Sequence, residues 1–151
     1  MSNIYENLWI TCGGTAREFD FLRENEITHV LNCAEEEPMY YPNHVTAIHI
    51  PLTDDVDPLA IDQIIQGAQI LAVWMNTKSN VIVHCKAGIS RSVTVVLAWL
   101  IIYKNYTYDE AFRFVQSKRN FICPNDFYRK LLKDLEIKFY VPYNELGSSG
   151  H

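Results

Sequence analysis

The chain lacks the sequence features of membrane and secreted proteins. No apolar run in its 151 residues reaches the roughly eighteen that a membrane-spanning helix needs. The first residues, Met1 to Glu6, lack the basic and then apolar segments of a signal peptide. No internal repeat or low-complexity block is present before the tail. We therefore expect a soluble intracellular protein located in the cytoplasm, with the nucleus also open to it.

Cysteine and basic residues are also scarce. The four cysteines, Cys12, Cys33, Cys85 and Cys123, form neither a CxxC pair nor a Cys/His cluster spaced for zinc. With 13 Lys and Arg against 18 Asp and Glu, the net charge is −5, and the basic face of a nucleic-acid binder is not expected. Basic runs and lipidation motifs are lacking too. We expect no metal, no nucleic acid and no stable membrane association.

What is present fits one globular domain. Hydrophobic residues make up 48% of the chain and charged residues 21%, which suits a single core. We predict one domain over residues 1–144. Residues 145–151 include Gly147-Ser148-Ser149-Gly150-His151, which has linker composition and resembles the beginning of an added histidine tag. This tail is predicted to be flexible.

Strand and helix patterns alternate along the chain. Short β-rich runs cover residues 7–11, 28–33, 46–50 and 80–84, and helical patterns cover about 58–76, 107–119 and 125–140, with a further helix after the turn at Gly88 that carries apolar residues from Val93 to Ile101. We therefore predict an α/β fold with a central, mostly parallel twisted sheet flanked by helices. The run Val81 to His84 is apolar almost throughout, as in a strand covered on both faces. The helix that follows it is apolar on nearly every side, which indicates deep burial.

The last strand and this buried helix are joined by a loop that suits an anion. The loop residues are Lys86, Ala87, Gly88, Ile89, Ser90 and Arg91. Backbone N–H groups in a loop entering a helix can point inward, and the helix dipole adds to the attraction for phosphate. Gly88 permits the turn, and the Arg91 guanidinium can donate two parallel hydrogen bonds. The loop is predicted to bind phosphate, or the related anions sulfate and vanadate.

Cys85 at the mouth of this loop is the predicted nucleophile. Loop amides and Arg91 favour the thiolate, and such sites lower a thiol pKa to about 3.5–7.5. His84 would orient and tune the thiolate, and Ser92 would stabilise it as a leaving group. A lone cysteine after an apolar strand is usually a buried small side chain. With His before it and Arg and Ser at these spacings, a chance match is about one in a few thousand.

Residues 84–92 resemble the HCxxGxxRS motif of cysteine-based phosphatases. Four further segments resemble small dual-specificity phosphatases, so that the resemblance covers nearly the whole chain: residues 7–10, 27–32, 50–54 and 124–127. One departure is Phe127 directly after Asp126, where many relatives have glycine. The resemblance implies hydrolysis of phosphotyrosine and phosphoserine or phosphothreonine through a phosphocysteine intermediate, with no metal or other cofactor.

The leaving group needs a proton donor, and the segment Asp54-Asp55-Val56-Asp57 supplies the candidates. Asp57 is more simply a helix cap, and either of the others could be a solvated turn residue. The resemblance to the family's Ile-Pro-x-x-Asp pattern favours Asp54 as the general acid and base. Asp55 remains the alternative.

Three further residues are supporting candidates. Asn125 resembles a family residue that helps hold the phosphate loop, but an asparagine after proline is equally suited to capping a helix. Asn32 ends a strand beside the predicted pocket, and a strand-terminating turn is the simpler interpretation. The segment beginning at Asn32 resembles one in phosphatase-and-tensin-type lipid phosphatases. That resemblance implies Cys33 as a redox partner of Cys85.

Three substrate classes remain open: phosphoproteins, non-protein phosphates such as phosphoinositides, and phosphoresidues bound without catalysis. Because Cys85, Arg91 and Asp54 are all present, an active enzyme is favoured. Lys86 resembles the start of a phosphoinositide loop, but no second lysine follows it in the loop. The short chain lacks the aromatic recognition loop of tyrosine-specific relatives. We therefore predict a phosphoprotein substrate and a shallow pocket that admits phosphoserine and phosphothreonine.

Overall fold

The computed structural model describes residues 1–142, in which five strands and six helices are arranged around one sheet. The strands are β1 (Ser2–Tyr5), β2 (Leu8–Thr11), β3 (His29–Asn32), β4 (Thr46–His49) and β5 (Val81–His84). The helices are α1 (Gly13–Ala16), α2 (Phe19–Glu24), α3 (Ala60–Asn76), α4 (Arg91–Tyr103), α5 (Tyr108–Lys118) and α6 (Asp126–Phe139). The predicted tail, 145–151, lies outside the described residues.

The sheet has the order β1-β2-β5-β3-β4, with β5 at its centre. Only β1 is antiparallel to its neighbour, and the other pairings are parallel. The predicted α/β fold with a mostly parallel sheet is therefore confirmed. In the register, Thr11 and Asn32 both lie opposite His84, so β2, β5 and β3 end at the same level. Residues that follow these strands share one edge of the sheet.

The central strand and the helix after it are as buried as their composition predicts. All four residues of β5 are buried, and the buried residues of α4 run without a break from Arg91 to Ile101. The main core packs α3, α4 and α6 against the sheet, and a smaller cluster built on Leu22 and Ile82 covers the other face. Full burial of one aliphatic side chain contributes about 1.5–3 kcal/mol, so this packing fixes the end of β5 firmly.

Helix boundaries depend on local caps. The capping box of α5 is present, with Thr107 and Glu110 bonded reciprocally. Helix α3 begins at Ala60, two residues later than Pro58 had indicated, because the Asp57 side chain accepts from Leu59 N at 2.9 Å and first closes a turn. Helices α1 and α2 and the edge strand β1 were not predicted, since each is too short to show periodicity. Within residues 1–142, none of the helices has the length and apolar character needed to span a membrane.

Candidate active site

The loop between β5 and α4 forms a cavity of about 250 Å³ at the carboxyl edge of the sheet. Six of the lining residues come from this region and one from the loop after β4: Cys85, Lys86, Ala87, Ile89, Ser90, Arg91 and Asp54. The structure thus brings together the predicted nucleophile, the predicted anion ligand and the predicted acid. Their chemical roles remain predictions, and the contacts below indicate what each can do.

Gly88 shapes the phosphate loop. Its φ of +71° lies in the left-handed region, which residues with a Cβ atom rarely adopt. An added Cβ would lie 2.9 Å from the Thr11 carbonyl oxygen and 2.6 Å from an Arg119 nitrogen. This conformation turns the Gly88 N–H inward, where it donates to Cys85 Sγ at 3.3 Å. Glycine is therefore required at this position for both conformation and space.

The Cys85 thiol is only 2% exposed and is surrounded by hydrogen-bond donors. The Ser92 hydroxyl lies 3.2 Å from Cys85 Sγ, and the Gly88 N–H contacts the same atom. Burial alone raises the pKa of this thiol, but the hydrogen bonds from Ser92 and Gly88 and the charge of Arg91 lower it overall. The site therefore favours a thiolate, which is the nucleophilic form of cysteine.

Arg91 has two of its five N–H groups turned to the cavity side, because the other three are held by the protein. One hydrogen of Nη1 and one of Nη2 donate to the two carboxylate oxygens of Glu36, each at 2.6 Å. The second hydrogen of Nη1 donates to the Leu52 carbonyl at 3.0 Å. Nε, which lies 3.3 Å from Asp54 Oδ1, and the second Nη2 hydrogen form the side edge of the guanidinium, which can bind two phosphate oxygens.

Glu36 is a functional residue that sequence reasoning missed. Its bonds to Arg91 lower its pKa to about 2, and Glu36 in turn raises the pKa of Arg91. The Arg91 side chain is 4% exposed, so this ion pair holds a buried guanidinium in one orientation. The sequence offers three consecutive glutamates here, and nothing in their pattern distinguishes Glu36 from Glu35 or Glu37.

The loop that carries the predicted acid is held at three successive carbonyl groups. Arg91 donates to the Leu52 carbonyl, the Tyr128 hydroxyl to the Thr53 carbonyl, and Asn125 Nδ2 to the Asp54 carbonyl at 3.1 Å. Burial raises the pKa of Tyr128 to about 12, so its hydroxyl stays protonated and can donate. The backbone that positions the carboxylate is therefore fixed from the phosphate loop and from α6.

Of the two candidate acids, only Asp54 lines the cavity. Its Oδ1 lies 3.3 Å from Arg91 Nε, next to the guanidinium edge that faces the cavity. The Asp54 side chain is 65% exposed, so it can exchange protons with solvent. Asp55 is exposed, and its recorded contact is a hydrogen bond from Thr53 to its carbonyl. The geometry favours Asp54, whose role as the acid stays a prediction.

His84 acts on the backbone of Cys85 and makes no recorded contact with its sulfur. Burial lowers the pKa of His84 to about 4, so the ring is neutral near pH 7. Its Nδ1 lies 2.9 Å from the Cys85 carbonyl, which can only accept, so Nδ1 carries the proton. The Tyr41 hydroxyl then donates to Nε2 at 2.6 Å. His84 therefore fixes the start of the phosphate loop, and Tyr41 fixes His84.

The two asparagines hold loops in place. Asn125 caps α6, because its side-chain oxygen accepts from Tyr128 N at 2.8 Å, and its amide nitrogen braces the acid loop. Its backbone N–H donates to Ser90 Oγ at 3.0 Å, which ties α6 to the phosphate loop. Asn32 is buried and bonds Ala34 N and the Glu37 carbonyl. It ends β3 in a turn and shapes the segment that carries Glu36.

Cys33 lies beside the nucleophile in the sheet. It follows β3 as Cys85 follows β5, and its N–H donates to the His84 carbonyl at 2.7 Å. Neighbouring strands lie about 4.8 Å apart, which is within the Cα separation that a disulfide spans. Burial and the nearby Cys85 raise the pKa of Cys33, and both thiols are free. A disulfide formed between them on oxidation stays a prediction.

Comparison with known proteins places this geometry in a family. Residues 8–137 match the family described as "Dual specificity phosphatase, catalytic domain". The human protein named Dual specificity protein phosphatase 16 is 30% identical over 152 residues, covering 99% of this chain and 22% of its own length. The chain spans about a fifth of the length of the first curated relatives that it matches.

Solved structures share the fold over nearly the whole chain. A mouse dual specificity phosphatase complexed with zinc tungstate superposes with a TM-score of 0.83 at 24% identity, covering 91% of this chain and 86% of that one. The human tyrosine phosphatase-like serine/threonine/tyrosine-interacting protein superposes with a TM-score of 0.79 at 25% identity, covering 91% and 96%. The overall fold is therefore common to all three chains.

Proposed function

This chain belongs to the dual specificity phosphatase family, and from that membership we propose that it hydrolyses phosphotyrosine, phosphoserine and phosphothreonine in proteins. The observation that carries the proposal is the meeting of Cys85, Arg91 and Asp54 around one cavity. A nucleophile, a bidentate anion ligand and a proton donor are the three groups that phosphate transfer to cysteine needs. Cys85 and Arg91 lie at opposite ends of the phosphate loop, and Asp54 lies in the loop after β4.

In the first step the substrate phosphate lies in the loop, bound by inward N–H groups and by the free edge of Arg91. The Cys85 thiolate attacks phosphorus in line with the scissile bond, so a P–S bond forms as the P–O bond breaks. Asp54 gives its proton to the departing oxygen of the tyrosine, serine or threonine. The products are the dephosphorylated side chain and phosphocysteine.

In the second step the Asp54 carboxylate takes a proton from a water molecule, whose oxygen attacks phosphorus. The P–S bond breaks, inorganic phosphate forms, and the Ser92 hydroxyl donates a hydrogen bond to the released thiolate, as its 3.2 Å distance from Cys85 Sγ permits. Negative charge on the transferring group is stabilised by loop amides and Arg91. The chain's own residues therefore supply a nucleophile, an acid and a base for both steps.

The position of the cavity supports the choice of phosphoprotein substrates. The exposed Asp54 and the exposed loop residues Lys86 and Ala87 line the cavity, which supports access for a short serine or threonine side chain. A reduced thiol is needed throughout the cycle, which supports the further proposal of a cytoplasmic location, with the nucleus open as well. Dephosphorylation in signalling is the role that these substrates imply.

Two observations each support an alternative to the hydrolysis of phosphoproteins. Lys86 lines the cavity and could pair with a second phosphate of a phosphoinositide. The likeness to a human protein named as tyrosine phosphatase-like and as serine/threonine/tyrosine-interacting supports binding without turnover as the other candidate. Both alternatives use the same phosphate loop. They differ from the proposal only in which substrate is hydrolysed faster and in the rate of hydrolysis.

The test is hydrolysis by the wild-type protein in EDTA of matched phosphotyrosine, phosphothreonine and phosphoinositide substrates, with Cys85→Ser as the control. We expect release of phosphate from both phosphopeptides at rates above that from the lipid, and none by Cys85→Ser. Hydrolysis of phosphotyrosine with phosphothreonine untouched at any concentration would contradict dual specificity. Complete inactivity in EDTA that a divalent ion restores would contradict the metal-independent mechanism.

A further inference from the structure

Arg119, at the C-terminal end of α5, is a buried cation behind the phosphate loop. The residue is 7% exposed, and no carboxylate among residues 1–142 lies within ion-pair distance of it. Its guanidinium stacks on the Phe121 ring at 4.4 Å, and Nη1 donates to Ser2 Oγ at 2.9 Å and to the Ile10 carbonyl at 3.5 Å. An unpaired buried charge is costly, so the partners that it does have must carry enough negative character to stabilise it.

Its remaining donors reach two consecutive carbonyl groups of the phosphate loop. Arg119 Nε donates to the Gly88 carbonyl at 2.8 Å, and Nη2 lies 3.3 Å from the Ala87 carbonyl. This approach is possible because residue 88 is glycine, since a Cβ there would lie 2.6 Å from Arg119 Nη2. On its outer face the loop therefore presents two carbonyl groups to the Arg119 guanidinium, and its inner face is the predicted anion site.

The peptide between Ala87 and Gly88 is bonded on both sides. Its carbonyl accepts from Arg119, and its N–H donates to Cys85 Sγ at 3.3 Å. In a planar trans peptide the C=O and N–H bonds point in opposite directions. A donor that holds the oxygen outside the loop therefore directs the hydrogen inside. It also polarises the peptide, which strengthens the hydrogen bond to the thiolate.

The next peptide follows the same geometry. The Gly88 carbonyl is held by Arg119 Nε, so the N–H of Ile89 points away from Arg119 and toward the cavity that Ile89 lines. Among residues 1–142 this N–H has no hydrogen-bond partner, which leaves it available to a phosphate oxygen. One guanidinium thus orients one amide for the nucleophile and one for the substrate.

We propose that Arg119 is a positioning residue for catalysis, which holds two peptides of the phosphate loop with their N–H groups directed inward. Its catalytic meaning rests on the proposed function, but its effects on the Cys85 thiol and on anion binding do not require turnover. Burial lowers the pKa of Arg119, and the charges of the nearby Cys12 and Cys85 thiolates oppose that shift. Loss of Arg119 removes a fixed positive charge and an oriented donor from behind the thiolate.

The test measures the Cys85 thiol directly. The rate of Cys85 alkylation by iodoacetamide is followed against pH by mass spectrometry, with and without inorganic phosphate as the protecting anion. In Arg119→Lys, which keeps the charge but loses the two-pronged donor, we expect the thiol pKa to rise by about one unit and phosphate protection to need about tenfold more phosphate. Arg119→Gln should shift both values further.

Two control variants separate this role from bracing of the N-terminal strand. Ser2→Ala removes the bond between Arg119 and β1, and Arg113→Gln removes an exposed positive charge from the same helix. Both should leave the thiol pKa and phosphate protection unchanged. A folded Arg119→Lys protein that matches wild type in both values would overturn the proposal.

A measurement on unaltered Arg119 decides the matter even if its variants fail to fold. The Nε–H resonance of Arg119 should shift with pH at the midpoint of Cys85 titration, and this shift should be absent in Cys85→Ser. A resonance that ignores Cys85 titration would refute the coupling. Failure of wild-type phosphopeptide hydrolysis, with these thiol results intact, would count against the proposed function and leave the role of Arg119 standing.

Discussion

At the residue scale, the orientation of Arg91 decides whether the site can hold a phosphate. Its free edge exists because Glu36 and the Leu52 carbonyl occupy the other three N–H groups. A guanidinium without Glu36 would be free to rotate and would bind phosphate at a greater entropic cost. Arg91 is the group that touches the substrate, and Glu36 acts through it.

The first prediction concerns Glu36→Gln, with Glu35→Gln as its matched control. Glutamine keeps the volume but presents only one oxygen to two donors, and its NH₂ group opposes the guanidinium. We expect kcat/KM to fall about tenfold and inorganic phosphate to inhibit about tenfold less strongly, since a charge-assisted hydrogen bond is worth roughly 1.5–3 kcal/mol. Exposed Glu35 should tolerate the change. Equal kinetics for the two variants would exclude the positioning role.

The low pKa of Glu36 determines the pH below which its ion pair with Arg91 is lost. The pKa of Glu36 is lowered to about 2 in the folded protein, against about 4.3 for a free side chain. A depressed carboxyl pKa contributes stability that is present above the free value and is lost as pH falls toward the folded one. The pair is therefore intact at neutral pH and does not act as a switch there.

At the scale of elements, the acid loop depends on α6. Tyr128 and Asn125 hold the carbonyls of Thr53 and Asp54, and Asn125 also caps the helix from which Tyr128 projects. The carboxylate of Asp54 therefore rests on a backbone that is tied at both neighbouring positions. Asp55 has no comparable support from the helix.

The corresponding prediction compares Asp54→Asn with Asp55→Asn. Loss of a general acid costs about 10²–10⁴ in rate when the leaving group is a poor one. We expect such a loss for Asp54→Asn on phosphothreonine peptides, a smaller loss on an aryl phosphate with an acidic phenol, and near wild-type rates for Asp55→Asn. The measurement is kcat on both substrates. The reverse ranking of the two variants would assign the acid to Asp55.

The sequence predicts those elements whose signals are contiguous. The strand Val81 to His84, the loop and the buried helix follow one another, so their composition and spacing suffice to place Cys85 and Arg91. Glu36 is 55 residues from Arg91, and Arg119 is 31 from Gly88. Contacts over such separations arise from tertiary packing, which no local pattern records. The elements β1, α1 and α2 escaped prediction for another reason, because each is too short to show periodicity.

At the scale of the whole molecule, four parallel strands end at one level, and the residues that follow three of them carry the site. In α/β proteins ligands bind at the carboxyl edge of the sheet, where loops can vary while the strands remain fixed. Here β5 supplies the nucleophile, the segment after β3 supplies Glu36, and the loop after β4 supplies Asp54. The buried helix α4 then holds the phosphate loop against the core.

Covalent phosphorylation of Cys85 during turnover is the step on which the proposed mechanism depends. The most direct measurement is rapid acid quenching of the wild-type protein during hydrolysis of an aryl phosphate in EDTA, followed by mass spectrometry of the Cys85 peptide. We expect one added phosphoryl group on Cys85 and neither modification nor turnover in Cys85→Ser. Continued turnover by Cys85→Ser, or steady wild-type turnover with Cys85 never modified, would contradict this mechanism.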